Sequence, residues 1–192
     1  QSNPRIVLEV RKKNGLLYLH EDNMLKTLLE IEEQMPNFLK IESWRSLYID
    51  YDYPYVERVY LDWEEYRINL HIIHPIPEGQ VPYYHPHPWP SACRILRNAY
   101  RMRLGLEVEP DHVVDVSNLV MSRNSAYEMV FPNTWHAIEP LNNVNVPSLM
   151  ITGKPYGIVI PNQAGHQLKE LSQERVESIL ELFRYLYVSE TE

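Results

Sequence analysis

Two of the eight histidines in this 192-residue sequence stand one residue apart, in His85-Pro86-His87. In an extended strand, side chains two residues apart project to the same side, so both imidazoles can grip one ion from a single strand. Pro88-Trp89-Pro90 follows, and prolines on both sides make the stretch stiff and a poor helix. A third histidine, His136, closes Phe131-Pro132-Asn133-Thr134-Trp135-His136. A turn built on Pro132 and Asn133 would set a strand with His136 pointing inward. His71 and His74 are three apart on an earlier strand, which puts them on opposite faces. At most one can look inward, and a structural role is expected for both. His20, His112 and His166 read as surface residues.

With those residues in view, the sequence resembles the cupin superfamily between about Glu57 and Ile160. The family's first motif carries a His-x-His pair, then an acidic residue, then a strand ending in Gly. Its second is a Pro-containing turn followed by a single ligand His. His85 and His87 match the first, and Pro132 and His136 match the second. Asn133 stands where the family usually has a turn glycine, and Asn is the best non-Gly occupant of left-handed backbone. Two departures matter. Ala99 falls where the strand-end glycine would be, and that register puts Ala92 where the fourth ligand, usually Glu, would sit. The resemblance therefore implies three neutral imidazole ligands and coordination positions open to water, substrate or dioxygen, which favours chemistry over a closed structural site. It implies a mononuclear iron enzyme distantly similar to the thiol dioxygenases, and argues against the oxalate-degrading cupins, which keep the carboxylate.

Counting along the strand from Ala92 makes Arg94, Leu96 and Asn98 the inward positions. Arg94 would then face the open side of the ion and hold a carboxylate or sulfonate with a two-pronged hydrogen bond. The alternative is a solvated strand face in which Arg94, Arg97 and Arg101 pair with glutamates. Cys93 falls one residue from the position where thiol dioxygenases crosslink a cysteine to a tyrosine, so it reads as a packed thiol on the opposite face. Tyr83, Tyr84, Trp89, Tyr127 and Trp135 flank the ligands, and Tyr127 is the candidate for a hydroxyl donor or acid–base group. Whether Tyr127, Met129 and Phe131 or Glu128 and Val130 look inward is left open.

The elements that must position these groups are mostly strands. Residues 4–20 fit a hairpin turning at Asn14-Gly15 or a short helix capped at Gly15. Asp22 to Gln34 has helical spacing, with Asp22 or Asn23 as cap and Pro36 as terminator. Strands are expected at Trp44–Tyr51, Val56–Trp63, Tyr66–His74, Tyr83–Pro90, Cys93–Met102, Val113–Met121, Ala126–Phe131, Trp135–Glu139, Ser148–Gly153 and Gly157–Ile160. Gln167 to Tyr187 is amphipathic and closes the chain as a helix. Successive short strands with helices only at the ends predict a mainly β, antiparallel jelly-roll barrel of cupin type. The expected organisation is a helical extension over 1–42, the barrel over 43–162 and a packed helix over 163–192, as one domain.

Hydrophobic residues make up 44% of the sequence and 14 tyrosines dominate its aromatics, ample for one buried core. The net charge of −8 argues against nucleic-acid phosphate as partner. One cysteine allows no intrachain disulfide. No apolar run is long enough to span a bilayer, and no signal-peptide pattern opens the sequence, so the cytoplasm is the expected location. The expected cofactor is one divalent metal, Fe(II) first, with Mn, Ni, Cu and Zn suiting the same ligands. The expected function is an iron(II) dioxygenase acting on a small polar, acidic molecule, with a metal-dependent isomerase or lyase, or a non-catalytic metal-binding cupin, as alternatives. A small molecule is the expected partner, without nucleic acid or membrane, and a homodimer is compatible.

Overall fold

The computed structural model describes the backbone of residues 7–10, 17–20 and 188, and residues 23–110, 112–132, 134–157 and 167–187 in full. The expected turn at Asn14-Gly15, Asn133, His166 and residues 158–160 of the last expected strand lie outside the described residues.

Of the two readings of the N-terminus, the hairpin is found: β1 (Val7–Val10) pairs antiparallel with β2 (Leu17–His20). Helix α1 (Met24–Phe38) starts where Asn23 Oδ1 accepts the Lys26 amide at 2.9 Å, which satisfies one of the free donors of its first turn. It runs past Pro36, contrary to the expected stop. Met35 and Phe38 are both buried, and packing of that last turn outweighs the backbone bond that proline removes.

Two antiparallel sheets carry the site. The larger is ordered β10-β7-β12-β5-β4-β3, formed by β3 (Arg45–Ile49), β4 (Val56–Trp63), β5 (Tyr66–Ile73), β7 (Ser91–Ile95), β10 (Ala126–Met129) and β12 (Val146–Thr152). The smaller is ordered β6-β11-β8-β9, formed by β6 (His85–Pro86), β8 (Ala99–Glu109), β9 (His112–Ser122) and β11 (Thr134–Pro140). The β-rich, antiparallel layout with terminal helices is as expected. The barrel is not closed, however: among the described residues no ladder joins the two sheets, which face each other as a sandwich.

Period-2 alternation divides the large sheet. Ile68, Leu70, Ile72, Val59, Leu149 and Ile151 pack under α1 and α2 (Gln173–Val188). Ile73, Cys93, Ile95, Val146 and Met150 face the small sheet and meet Tyr100, Met102, Met121 and Ile138. Helix α2 begins at Gln173 rather than 167: the Ser172 Oγ caps it by accepting the Arg175 amide at 3.2 Å, and the residues before it run extended, with Lys169 bridged to Tyr48.

The expected strand Cys93–Met102 is two strands in different sheets. Asn98 at φ 62° takes the left-handed conformation that Asn tolerates, and its side chain donates to the Asn145 carbonyl at 2.7 Å. The chain thereby crosses from β7 to β8. Further along, the ladder between β8 and β9 shifts register at Leu104/Gly105. A Cβ at Gly105 would meet Val113 Cγ1 at 2.4 Å, so any larger residue at this bulge would displace the Val113 side chain.

Candidate metal centre and cavity

His85, His87 and His136 converge, with one candidate ligand nitrogen from each lying within 4.8 Å of the others. The expected strand over 83–90 shrinks to the two residues of β6, because prolines lack the donors a longer ladder needs. Those two residues are enough: β6 pairs with β11 so that His85 faces His136 and Pro86 faces Trp135. The His136 and His85 Nε2 atoms are 3.1 Å apart. Two nitrogens bound side by side to one metal at about 2.1 Å lie about 3.0–3.4 Å apart, so this spacing suits a shared ion.

The opposite ring edges agree with that reading. His85 Nδ1 donates to the Tyr83 carbonyl at 3.3 Å, leaving Nε2 as a bare lone pair in the neutral ring. His87 Nδ1 contacts Ser91 Oγ at 2.9 Å, so its Nε2 also points to the shared centre. Such outer bonds orient metal-binding imidazoles. His136 is buried and its Nδ1 has no partner among the described residues. Burial lowers the pKa of all three rings. The charge on Arg58 lowers His85 and His87 further, and the neighbouring imidazoles lower His87 and His136. Neutral imidazole is the form a metal requires.

The cluster lines a cavity of about 270 Å³ between the two sheets. Tyr83 stacks on His85 and Trp89 on His87, with ring centroids 6.1 Å apart in each case. Tyr84 and Trp135 do not line it. Tyr127 does: the inward set on β10 is Tyr127 and Met129, while Glu128 points outward and accepts the Leu25 amide at 3.1 Å. The Tyr100 hydroxyl donates to that of Tyr127 at 2.9 Å. Burial raises both phenols well above 10.0, and raises the Cys93 thiol beside them to about 11.

Arg94 is not part of this site. With β7 ending before Asn98, the inward parity belongs to Ser91, Cys93 and Ile95, and Arg94 lies on the helix side. There its Nε pairs with Glu32 at 2.6 Å and its Nη1 donates to the Asn124 carbonyl at 3.0 Å. Ala92 and Leu96 pack in the same helix-side cluster. Cys93 is a buried thiol as expected, but it lines the cavity.

His71 and His74 do occupy opposite faces. His74 Nε2 contacts Glu57 at 3.0 Å on the helix side, and His71 lines the cavity. Sequence reasoning missed Arg58, His71 and Tyr100 as cavity residues. The signal was present in Ile68-Asn69-Leu70-His71-Ile72, where polar and apolar residues alternate along a strand buried on both faces.

No family model matches the chain, and no curated protein matches it. Solved structures similar to it include the cupin domain of Schizosaccharomyces pombe Cnp3, at 12% identity over 52% of this chain and 61% of that one, TM-score 0.39. KdgF from Halomonas sp. is 13% identical over 58% of this chain and 90% of that one, TM-score 0.39. Hydroxypropylphosphonic acid epoxidase from S. wedmorenis is 10% identical over 57% and 55%, TM-score 0.41. The chain thus spans less than two thirds of the Cnp3 domain and of the epoxidase, and each likeness concerns part of the fold. Among the described residues no helix is long and apolar enough to cross a membrane.

Proposed function

We propose that the protein is a metal-dependent enzyme of cupin type: His85, His87 and His136 hold one divalent ion, Fe(II) first, and it is a dioxygenase of a small polar molecule. The observation that carries this is the 3.1 Å approach of the His136 and His85 Nε2 atoms beside a cavity between the two sheets. When bound, iron(II) on three imidazoles would supply open coordination positions and the electrons for dioxygen chemistry.

The chain's own residues do the rest. Tyr83 and Ser91 fix the His85 and His87 rings through Nδ1, so the three ligands need not reorganise on loading. Ile73, Ile138 and Met150 line the walls, keep water scarce and strengthen polar contacts inside. Tyr127 retains its proton at Oη, since burial holds the phenol well above 10.0. It would serve as a hydrogen-bond donor to a polar atom of a ligand in the cavity, with the Tyr100 hydroxyl holding it in place.

The test is elemental analysis of tag-free protein combined with oxygen-uptake screening against small acids and thiols. One equivalent of iron and substrate-dependent oxygen uptake are expected. Replacing His136→Ala should remove the metal and leave the far-ultraviolet circular dichroism unchanged, and a variant retaining full metal would remove His136 from the ligand set. Turnover with zinc or nickel and no oxygen consumption would replace the dioxygenase with an isomerase or lyase, in which the ion polarises a carbonyl.

A further inference from the structure

Arg58 is the one arginine or lysine among the described residues that line the cavity. It projects from the inner face of β4, between Val56 and Tyr60. Its Nε–H donates to His71 Nε2 at 2.9 Å, which consumes one of five donors and leaves the fork of terminal nitrogens to the cavity. No carboxylate of the described residues forms an ion pair with it. Asp52 lines the same cavity. Arginines on the helix side behave differently: Arg94 is matched to Glu32 and Arg175 to Glu57. Burial depresses the Arg58 guanidinium to about 10, so it is charged at neutral pH. A desolvated cation without an ion-pair partner is costly to hold, and its one side-chain hydrogen bond among the described residues goes to a neutral imidazole.

We propose that Arg58 is the anion-binding residue of the cavity, and that the ligand is a small organic acid whose single carboxylate lies on its terminal nitrogens beside the three histidines. This deepens the reading above and rests on it in one respect, that the ligand enters this cavity. A guanidinium presents parallel donors that match a carboxylate. A single negative charge fits better than two, because one cation and the Asp52 carboxylate share the lining. The volume corresponds to about nine water molecules at about 30 Å³ each, which suits a small acid. A role confined to steering His71 would use only Nε and would carry no preference among ligands.

The experiment titrates metal-free and metal-loaded protein, at fixed ionic strength, with propionate against propionamide, benzoate against benzamide, and inorganic phosphate. Dissociation constants are read from protein chemical shifts. The carboxylates should bind both forms and each amide should bind at least about ten-fold more weakly. Arg58→Gln should weaken carboxylate binding about ten- to hundred-fold, the usual range for losing charge-assisted hydrogen bonds, and Arg58→Lys should restore part of it. Both variants should keep the wild-type metal content. Equal binding of acid and amide, unaltered carboxylate binding by Arg58→Gln, or a preference for phosphate would overturn the assignment. Should Arg58→Gln fail to fold, the acid–amide comparison in the wild type and Arg58→Lys decide the matter. Carboxylate binding by a protein that retains no metal would leave this inference standing and remove the metal reading. Full metal retention without acid preference would do the reverse.

Discussion

The two faces of the six-stranded sheet obey different rules. Under the helices, the charged groups named above are partnered: Arg94 with Glu32, and Glu57 with both Arg175 and His74. The spaces between are filled by Leu70, Leu149 and Ile151, all fully buried. On the other face, Arg58, His71, Cys93 and Tyr127 surround open volume, and across it the Nδ1 of His136, on the smaller sheet, has no partner among the described residues. One side of a strand therefore stabilises the fold, while the other keeps polar groups available at a cost in stability. Residues adjacent in sequence, such as Cys93 and Arg94, serve opposite ends.

Truncation should show the contrast most strongly. Leu149→Ala, on the helix side, should cost about 3–5 kcal/mol in urea unfolding, from lost burial plus the cavity left behind. Arg94→Ala should cost about 2–3 kcal/mol, because it leaves the Glu32 carboxylate without its cation. The figure sits below that for a fully buried pair because the Arg94 side chain keeps 21% of its surface exposed. Metal content should not change in the Arg94 variant, and a loss of metal there would undo the division between the faces.

Acid should separate the faces more gently. Burial and the nearby Arg58 charge hold His71 well below 6.5, so on acidification the unfolded chain takes up its proton first. Stability should fall as pH drops below 6.5, by up to about 1.4 kcal/mol per pH unit for one such group. His71→Gln should flatten that slope. Glu57 acts in a lower window. Burial alone would raise its carboxyl, but hydrogen bonds from Arg175 and His74 prevail and bring it from 4.5 to about 2. Its contribution is complete above 4.5 and lost as pH falls toward 2, so Glu57→Gln should lower stability by a constant amount above 4.5 and remove the slope below it. Thermal melts across pH for the two variants measure both windows.

Much of this was legible in the residues. The strand Val56–Trp63 was bounded correctly from its β-branched and aromatic texture, and the three histidines meet because a pair two apart and a lone partner across a ladder leave few other arrangements. The misassignment of Arg94 has a specific origin. The motif register, anchored on Ala99 as strand end, set Ala92 inward, and alternation was counted from Ala92 to Arg94. Ala99 belongs to a different sheet from β7, so that register does not carry across Asn98. The inward face of β10 was undecidable because Tyr127 and Glu128 are both amphipathic choices. A tertiary contact, the Leu25 amide on Glu128, settles it. Arg58 escaped notice because a single arginine in a strand looks like surface until its counter-charge is sought.

Prolines at 82, 86, 88 and 90 punctuate the segment that carries His85 and His87. Its shape is pinned from outside, with the Tyr83 amide donating to the Tyr53 carbonyl and the Pro88 and Pro90 carbonyls accepting the Tyr156 and Gly153 amides. Each fixed pyrrolidine ring narrows what the unfolded chain can explore, so the entropy of arranging two ligands is lost once, during folding. An arriving cation then has chiefly its own hydration to shed, and affinity gained this way needs no additional ligand.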